Sequence, residues 1–362
     1  MNRILSQTSG VALAATLFAG ALTASVSAHE LVGKSRAAIV HEADLVGVFD
    51  LGALQSSPML QRLEAEANEN QTPEAIRNRE LWERLTGLGR DNLVSLWFSV
   101  DFGPMSTETM AQPPSFEEVD ALMAIQVAKP LEFETLRDVV QSSAEGRTSF
   151  TDSHIGDTPV IVVANKDPEK PSLLTALSAD GKTIFLSVRP QSLEDGLARA
   201  ASNDYVALPE NLETTLSSDS HHARISFVAP AELRTAISDQ LAQAEADPEA
   251  AMTSGFLAPF QGLRSLSMAL SFTQDLELDL VSDLGDPNAA TQALGMFQMM
   301  LPMVKASLAE KSGREPASYN EMISAGAEGP ELELRFRLTE EELKALRDQN
   351  KKEEKTAGAP QR

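Results

Sequence analysis

Asp275-Leu276-Glu277-Leu278-Asp279-Leu280 and Glu331-Leu332-Glu333-Leu334-Arg335-Phe336-Arg337-Leu338 alternate strictly between charged and apolar side chains. Successive side chains of a strand point to opposite faces, so each segment reads as a strand with one buried and one wet face. One-sided burial of this kind belongs to antiparallel sheets, because parallel sheets are covered on both faces. If the two strands pair, the acidic row meets Arg335 and Arg337 across the ladder.

Other strands stand out upstream. Leu45–Phe49 (LVGVF), Leu93–Val100 (LVSLWFSV) and Leu122–Val127 (LMAIQV) are apolar runs of strand length. PVIVVANKD from Pro159 is followed by LLTALSADGKTIFLSV, where Asp180-Gly181 suits the tight turn of a hairpin. The triplet Gly181-Lys182-Thr183 is not a phosphate loop. Position 176, where such a loop needs glycine, is Ala176, and the triplet leads into a strand rather than a helix.

Helices follow strands through a recurring polar or proline turn. Val127-Ala128-Lys129-Pro130 leads to Phe133 and Leu136. Val188-Arg189-Pro190 leads to Leu193 and Leu197, and Val228-Ala229-Pro230 to Leu233 and Ile237. Proline pre-sets φ for a first helical turn. Leu338-Thr339 leads to Leu343 and Leu346, with Thr339 and Glu342 at capping-box spacing. Phe49-Asp50-Leu51 is a looser fifth copy, with a helix expected from Leu51 past Glu66. NENQT (68–72) reads as a loop, a further helix leads to Gly87 and Gly89, and Asp101–Ser115 reads as an exposed excursion.

The order strand–helix–strand–strand–helix from Leu45 recurs from Arg224. The expected fold class is therefore α+β in two similar halves, each a mainly antiparallel sheet with helices packed on one face. Residues 1–28 form a cleaved leader, 29–205 the first half and 206–349 the second, with a polar connector at Ser202–Ser220 and a disordered polar tail at 350–362. This rhythm, opened by Leu45-Val46-Gly47-Val48-Phe49-Asp50-Leu51, resembles a group of uncharacterised exported bacterial proteins built of paired α+β repeats. The resemblance implies that fold and no activity.

Residues 1–28 carry Arg3, an apolar run from Val11 to Leu22, and Val26-Ser27-Ala28 at the end. That is the pattern of a secretory signal peptide cleaved after Ala28, so the chain is expected to be exported, to a periplasm first of all. The apolar run is too short to span a bilayer, and no later stretch is long enough. The formal net charge is −23, which disfavours nucleic acid and anionic lipid as partners. With no cysteine there is no disulfide, thiolate site or thiol nucleophile. Two Trp and two Tyr leave little for stacking on sugars or bases.

The sharpest candidate site is the helix expected from Pro287 to Ala309. Leu294, Phe297, Leu301, Val304 and Leu308 fall on one stripe. Met296, Met299, Met300 and Met303 fall on another, about 120° away. Pro302 should kink the helix. Methionine is ordinary core filler, so both faces are expected to be buried between layers or domains. The functional alternative is that Met296, Phe297, Met299, Met300 and Met303 line an apolar groove for a ligand or partner. Thioethers one turn apart also suit copper(I), but no His or Cys supports them, and neither metal nor cofactor is expected.

The remaining candidates are weaker. His29-Glu30 and His41-Glu42 begin like HExxH, but Gly33 and Leu45 stand where the second histidine belongs. His154 and the pair His221-His222 read as solvated. Asp275, Glu277, Asp279, Asp283 and Asp286 read as a solvated face rather than a calcium loop, which needs converging oxygens. There is no G-x-S-x-G and no G-x-G-x-x-G after a strand. The function expected is binding without catalysis, as an interaction module of the cell envelope. The alternative is a carrier of a lipid or acyl group beside the methionine helix.

Overall fold

The computed structural model describes residues 39–40, 43–62, 92–103, 119–143, 149–164, 171–202, 212, 221–245, 258–312, 315–319 and 322–345. The leader, His29, His41, the helix before Gly87, the NENQT loop, most of the 101–115 excursion, most of the connector and the tail lie outside these residues. The described residues divide into two compact units, one ending at Ala223 and the other from Arg224 onward. The chain is of mixed helix and strand, built on antiparallel sheet.

The first unit holds, among the described residues, β1 (Leu45–Asp50), α1 (Leu51–Ser56), β2 (Leu93–Asp101), β3 (Asp120–Val127), α2 (Phe133–Ser143), β4 (Ser149–Ile155), β5 (Thr158–Ala164), β6 (Leu173–Leu177), β7 (Thr183–Ser187) and α3 (Pro190–Ser202). Its strands lie in the order β1-β2-β3-β7-β6-β5-β4, each pair antiparallel. α1 packs on β1 and β2, and α3 on β3, β6 and β7. Its core holds Leu93, Leu96, Ile125, Ile161, Ile184 and Phe185, all buried, with polar residues such as Ser99, Gln126 and Thr175 buried among the strands.

Local chemistry accounts for these elements. Asp50 caps α1 by accepting from the Ala53 amide at 2.7 Å. α1 stops at Ser56 instead of running past Glu66. Ser57 precedes Pro58, a position biased toward extended backbone, and Ser57 sits at ψ 118°. Helix resumes over 58–62. The β6–β7 turn closes as the sequence indicates. The Gly181 amide donates to the Ser178 carbonyl at 2.8 Å and Gly181 takes φ +71°, a conformation that favours glycine. Gly47 on β1 lies opposite Phe98 on β2, whose ring covers it and stacks on Phe49 with centroids 6.2 Å apart. An added Cβ at Gly47 would meet that ring at 2.2 Å.

The second unit holds, among the described residues, β8 (Ala223–Val228), α4 (Ala231–Glu245), β9 (Ser265–Phe272), β10 (Asp275–Asp283), α5 (Pro287–Ser312), β11 (Ile323–Glu328) and β12 (Glu331–Thr339), then helical residues 340–345. The strand order is β11-β12-β10-β9-β8. The two alternating segments pair antiparallel as β10 and β12, with Glu277 opposite Arg337 and Asp279 opposite Arg335. Their leucines share the other face, Leu276 opposite Leu338 and Leu280 opposite Leu334. The capping box is reciprocal. The Thr339 amide and hydroxyl donate to Glu342 Oε2 at 2.8 and 3.0 Å, and the Glu342 amide returns a bond to Thr339 Oγ1 at 3.4 Å.

Candidate functional site

α5 begins where Gly285 and Asp286 turn the chain out of β10. Asp286 Oδ1 accepts from the Asn288 amide at 3.0 Å, Pro287 is the first helical residue, and the Ala290 amide bonds the Asp286 carbonyl at 3.1 Å. The helix then runs for 26 residues, continuous through Pro302. Proline cannot donate to the Gln298 carbonyl, but both residues are exposed, so water can serve that carbonyl.

One stripe of α5 is packed as the leucine and phenylalanine spacing requires. Ala290 and Ala293 are buried against Leu284 and Leu332, with Leu294 beside them. Further along, Phe297, Leu301, Val304 and Leu308 pack on the cluster of Ala309, Tyr319 and Ile323. Phe297 meets Phe336 of β12 edge-to-face, with centroids 6.3 Å apart. Phe297 thus packs toward the sheet side, away from Met299 and Met303.

The methionine stripe is not buried, contrary to the expectation for core filler. Met299 is 73% exposed, Met303 74% and Met300 41%, while Met296 is half-buried. Physical placement explains the difference. The helix packs on β11 and β12 with its leucine stripe, and the methionines sit far round the wheel from that contact. Side chains this open form a surface. From Pro287 to Val304 the helix carries no charged residue, so the surface is uncharged as well as apolar. Beside the helix, the apolar side of the β9–β10 pair is only partly covered. Leu266 is 38% exposed, and Met268, Leu270, Leu276 and Leu278 are half-buried.

The acidic row is held as an ion-pair ladder. Arg337 Nε and Nη2 both reach Asp275 Oδ2 at 2.7 Å, and Nε lies 3.7 Å from Glu277. Arg335 lies 3.4 Å from Asp279 and 3.6 Å from Glu333. The hydrogen bond that Arg337 donates to Asp275 raises its already high pKa. His154 is exposed on β4, as read. His221 and His222 are half-buried rather than solvated, and the His222 carbonyl accepts from the Asp50 amide at 2.8 Å at the end of β1. Burial holds the His222 imidazole below its ordinary pKa. Asp50 opposes that shift, and His221 adds to it. No group of three or more His, Cys, Asp or Glu able to hold a metal occurs among the described residues, and no helix there is long and apolar enough to cross a membrane.

Comparison with family models, curated proteins and solved structures finds no match to this chain.

Proposed function

We propose that this chain acts by binding rather than by catalysis, through the methionine face of α5. Its occupant is a protein partner presenting an uncharged, apolar surface. The observation that carries this reading is the exposure of Met299 and Met303 on a helix whose other stripe packs, half-buried, on the sheet side. Single exposed apolar residues are ordinary, but three large ones within five positions of one helix make a patch. Flexible thioethers adapt to the contour of a partner. An uncharged face on a chain of net charge −23 is also where an apolar surface can dock without desolvating ions.

The setting of this activity is export to the periplasm, supported by the leader pattern of residues 1–28. The two units are duplicated α+β repeats, and the expected boundary of the repeats near 205/206 lies in the polar connector ahead of the Ala223/Arg224 division. In support, β1-α1-β2-β3-α2 and β8-α4-β9-β10-α5 follow the same order, and in each unit the third strand pairs with the last, β7 or β12. A second reading, a carrier of a lipid or acyl group, draws on the half-open leucine side of β9 and β10.

The test is crosslinking in cells from a photoreactive residue at position 299, with position 157 in the β4–β5 turn as control. The reading requires one discrete adduct from 299 and none from 157. The partner so identified, once purified, must bind the purified chain and lose about tenfold or more in affinity on M299S/M303S. An adduct pattern equal at both positions would refute it. An adduct of lipid mass retained in native mass spectrometry would favour the carrier instead.

A further inference from the structure

We propose that Met299, Met300 and Met303 are a modification site, converted reversibly to methionine sulfoxide by oxidants of the peroxide class. The chain contains 12 methionines and no cysteine, so thioethers are its principal targets for two-electron oxidation. Among the described residues, the exposed methionines are these three, all within five positions of α5. Met59 is fully buried, and Met123, Met268, Met296 and Met322 are half-buried. Among the described residues the accessible thioethers therefore gather on the one face already singled out for docking.

The chemistry balances with peroxide as the co-reactant. A sulfur lone pair attacks one peroxide oxygen, the O–O bond breaks and an S–O bond forms. The departing hydroxide takes a proton to become water, so the sulfur loses the two electrons that the peroxide gains. Return to the thioether needs a sulfoxide reductase and an external thiol, which is oxidised to a disulfide as the sulfoxide oxygen leaves as water. This chain, lacking cysteine, cannot supply those electrons itself.

Oxidation turns a flexible apolar side chain into a polar one. At Met299 and Met303 the new S=O group points into water, so the packed stripe of Phe297, Leu301 and Val304 is untouched. The fold stays and the apolar face goes. The site rests on exposure alone; its consequence, release of an apolar partner, rests on the docking reading above.

The experiment treats the purified full chain with dilute hydrogen peroxide and follows each methionine by peptide mass spectrometry. Met299 and Met303 should oxidise at least about tenfold faster than Met59, with Met300 between them. Oxidised protein should elute earlier from a hydrophobic-interaction column, keep its far-UV circular dichroism, and recover its retention after sulfoxide reductase and a thiol. M299L/M300L/M303L, which keeps the face apolar without a thioether, should retain its elution time under the same treatment. Rates at Met299 and Met303 no faster than at the half-buried methionines would overturn the proposal, as would an equal shift in the leucine variant. If oxidation follows the stated order but no partner binds the reduced chain, the docking reading fails and the modification site stands.

Discussion

Phe297 and Met299 stand two residues apart on α5 but face opposite environments, so truncating each to alanine separates the packed stripe from the open one. Phe297 packs on the Ala309, Tyr319 and Ile323 cluster and meets Phe336 edge-to-face. Full truncation of a buried Phe costs about 3–5 kcal/mol. Phe297 is half-buried, so part of that cost is absent, although the aromatic pair adds about 0.5–1.5 kcal/mol. Phe297→Ala is expected to cost about 2–3 kcal/mol. Met299 leaves about a quarter of its surface covered, and alanine is the better helix former, so Met299→Ala should fall within about 0.5 kcal/mol of the parent. Urea unfolding followed by far-UV circular dichroism reads both, as a lower midpoint at unchanged slope for Phe297→Ala alone. Equal losses, or the larger loss at Met299, would mean that the methionine face is a packing face and would refute the reasoning.

Gly47→Ala should destabilise by about 1–2 kcal/mol, because overpacking against the Phe98 ring outweighs the backbone entropy gained; Phe98→Leu in the same chain should recover most of it, which a double-mutant cycle measures. Thr339→Ala removes the reciprocal cap and should cost about 1 kcal/mol, read by thermal unfolding. Arg337→Glu places like charges beside Asp275 and Glu277 and should lower the melting temperature, by less in high salt than in low. For His222 the sign follows from burial. Its folded pKa lies below the ordinary 6.5, so the unfolded chain holds more protons in that interval. This contribution is fully present above about pH 6.5 and is lost as pH falls toward the folded pKa. Unfolding midpoints between pH 5 and 8 should therefore fall more steeply at the acid end for the parent than for His222→Gln.

Much of the fold was legible where one residue pattern has one physical reading. Strict alternation over 275–280 and 331–338 placed two strands that pair, and their opposite charges foretold the Arg335 and Arg337 ladder. Thr339 with Glu342, Asp50 before Leu51 and the Asp180-Gly181 turn each carry a local mechanism, and each appears in the structure. β4 was missed because Ser149–Ile155 (SFTDSHI) has no apolar face. It is an edge strand wet on both sides, held by its ladder to β5 across the Gly156-Asp157 turn. Pairing of β3 with β7 was illegible for another reason, since no local pattern says which distant strand lies alongside. The site was half legible. The wheel separated the leucine stripe from the methionines, but an apolar stripe looks the same whether covered or open. Burial of that stripe was the wrong expectation, because β11 and β12 meet only one side of α5.

Methionine footprinting on the same chain in two settings is the most direct measurement. Purified protein and the cell fraction where the native chain resides are exposed to the same brief peroxide pulse, and oxidation at each methionine is compared. An open docking face requires fast oxidation of Met299 and Met303 in the purified chain and protection of about tenfold in the native fraction, with the half-buried methionines unchanged. Equal oxidation in both settings would contradict a partner on this face, and slow oxidation in the purified chain would contradict the open face itself.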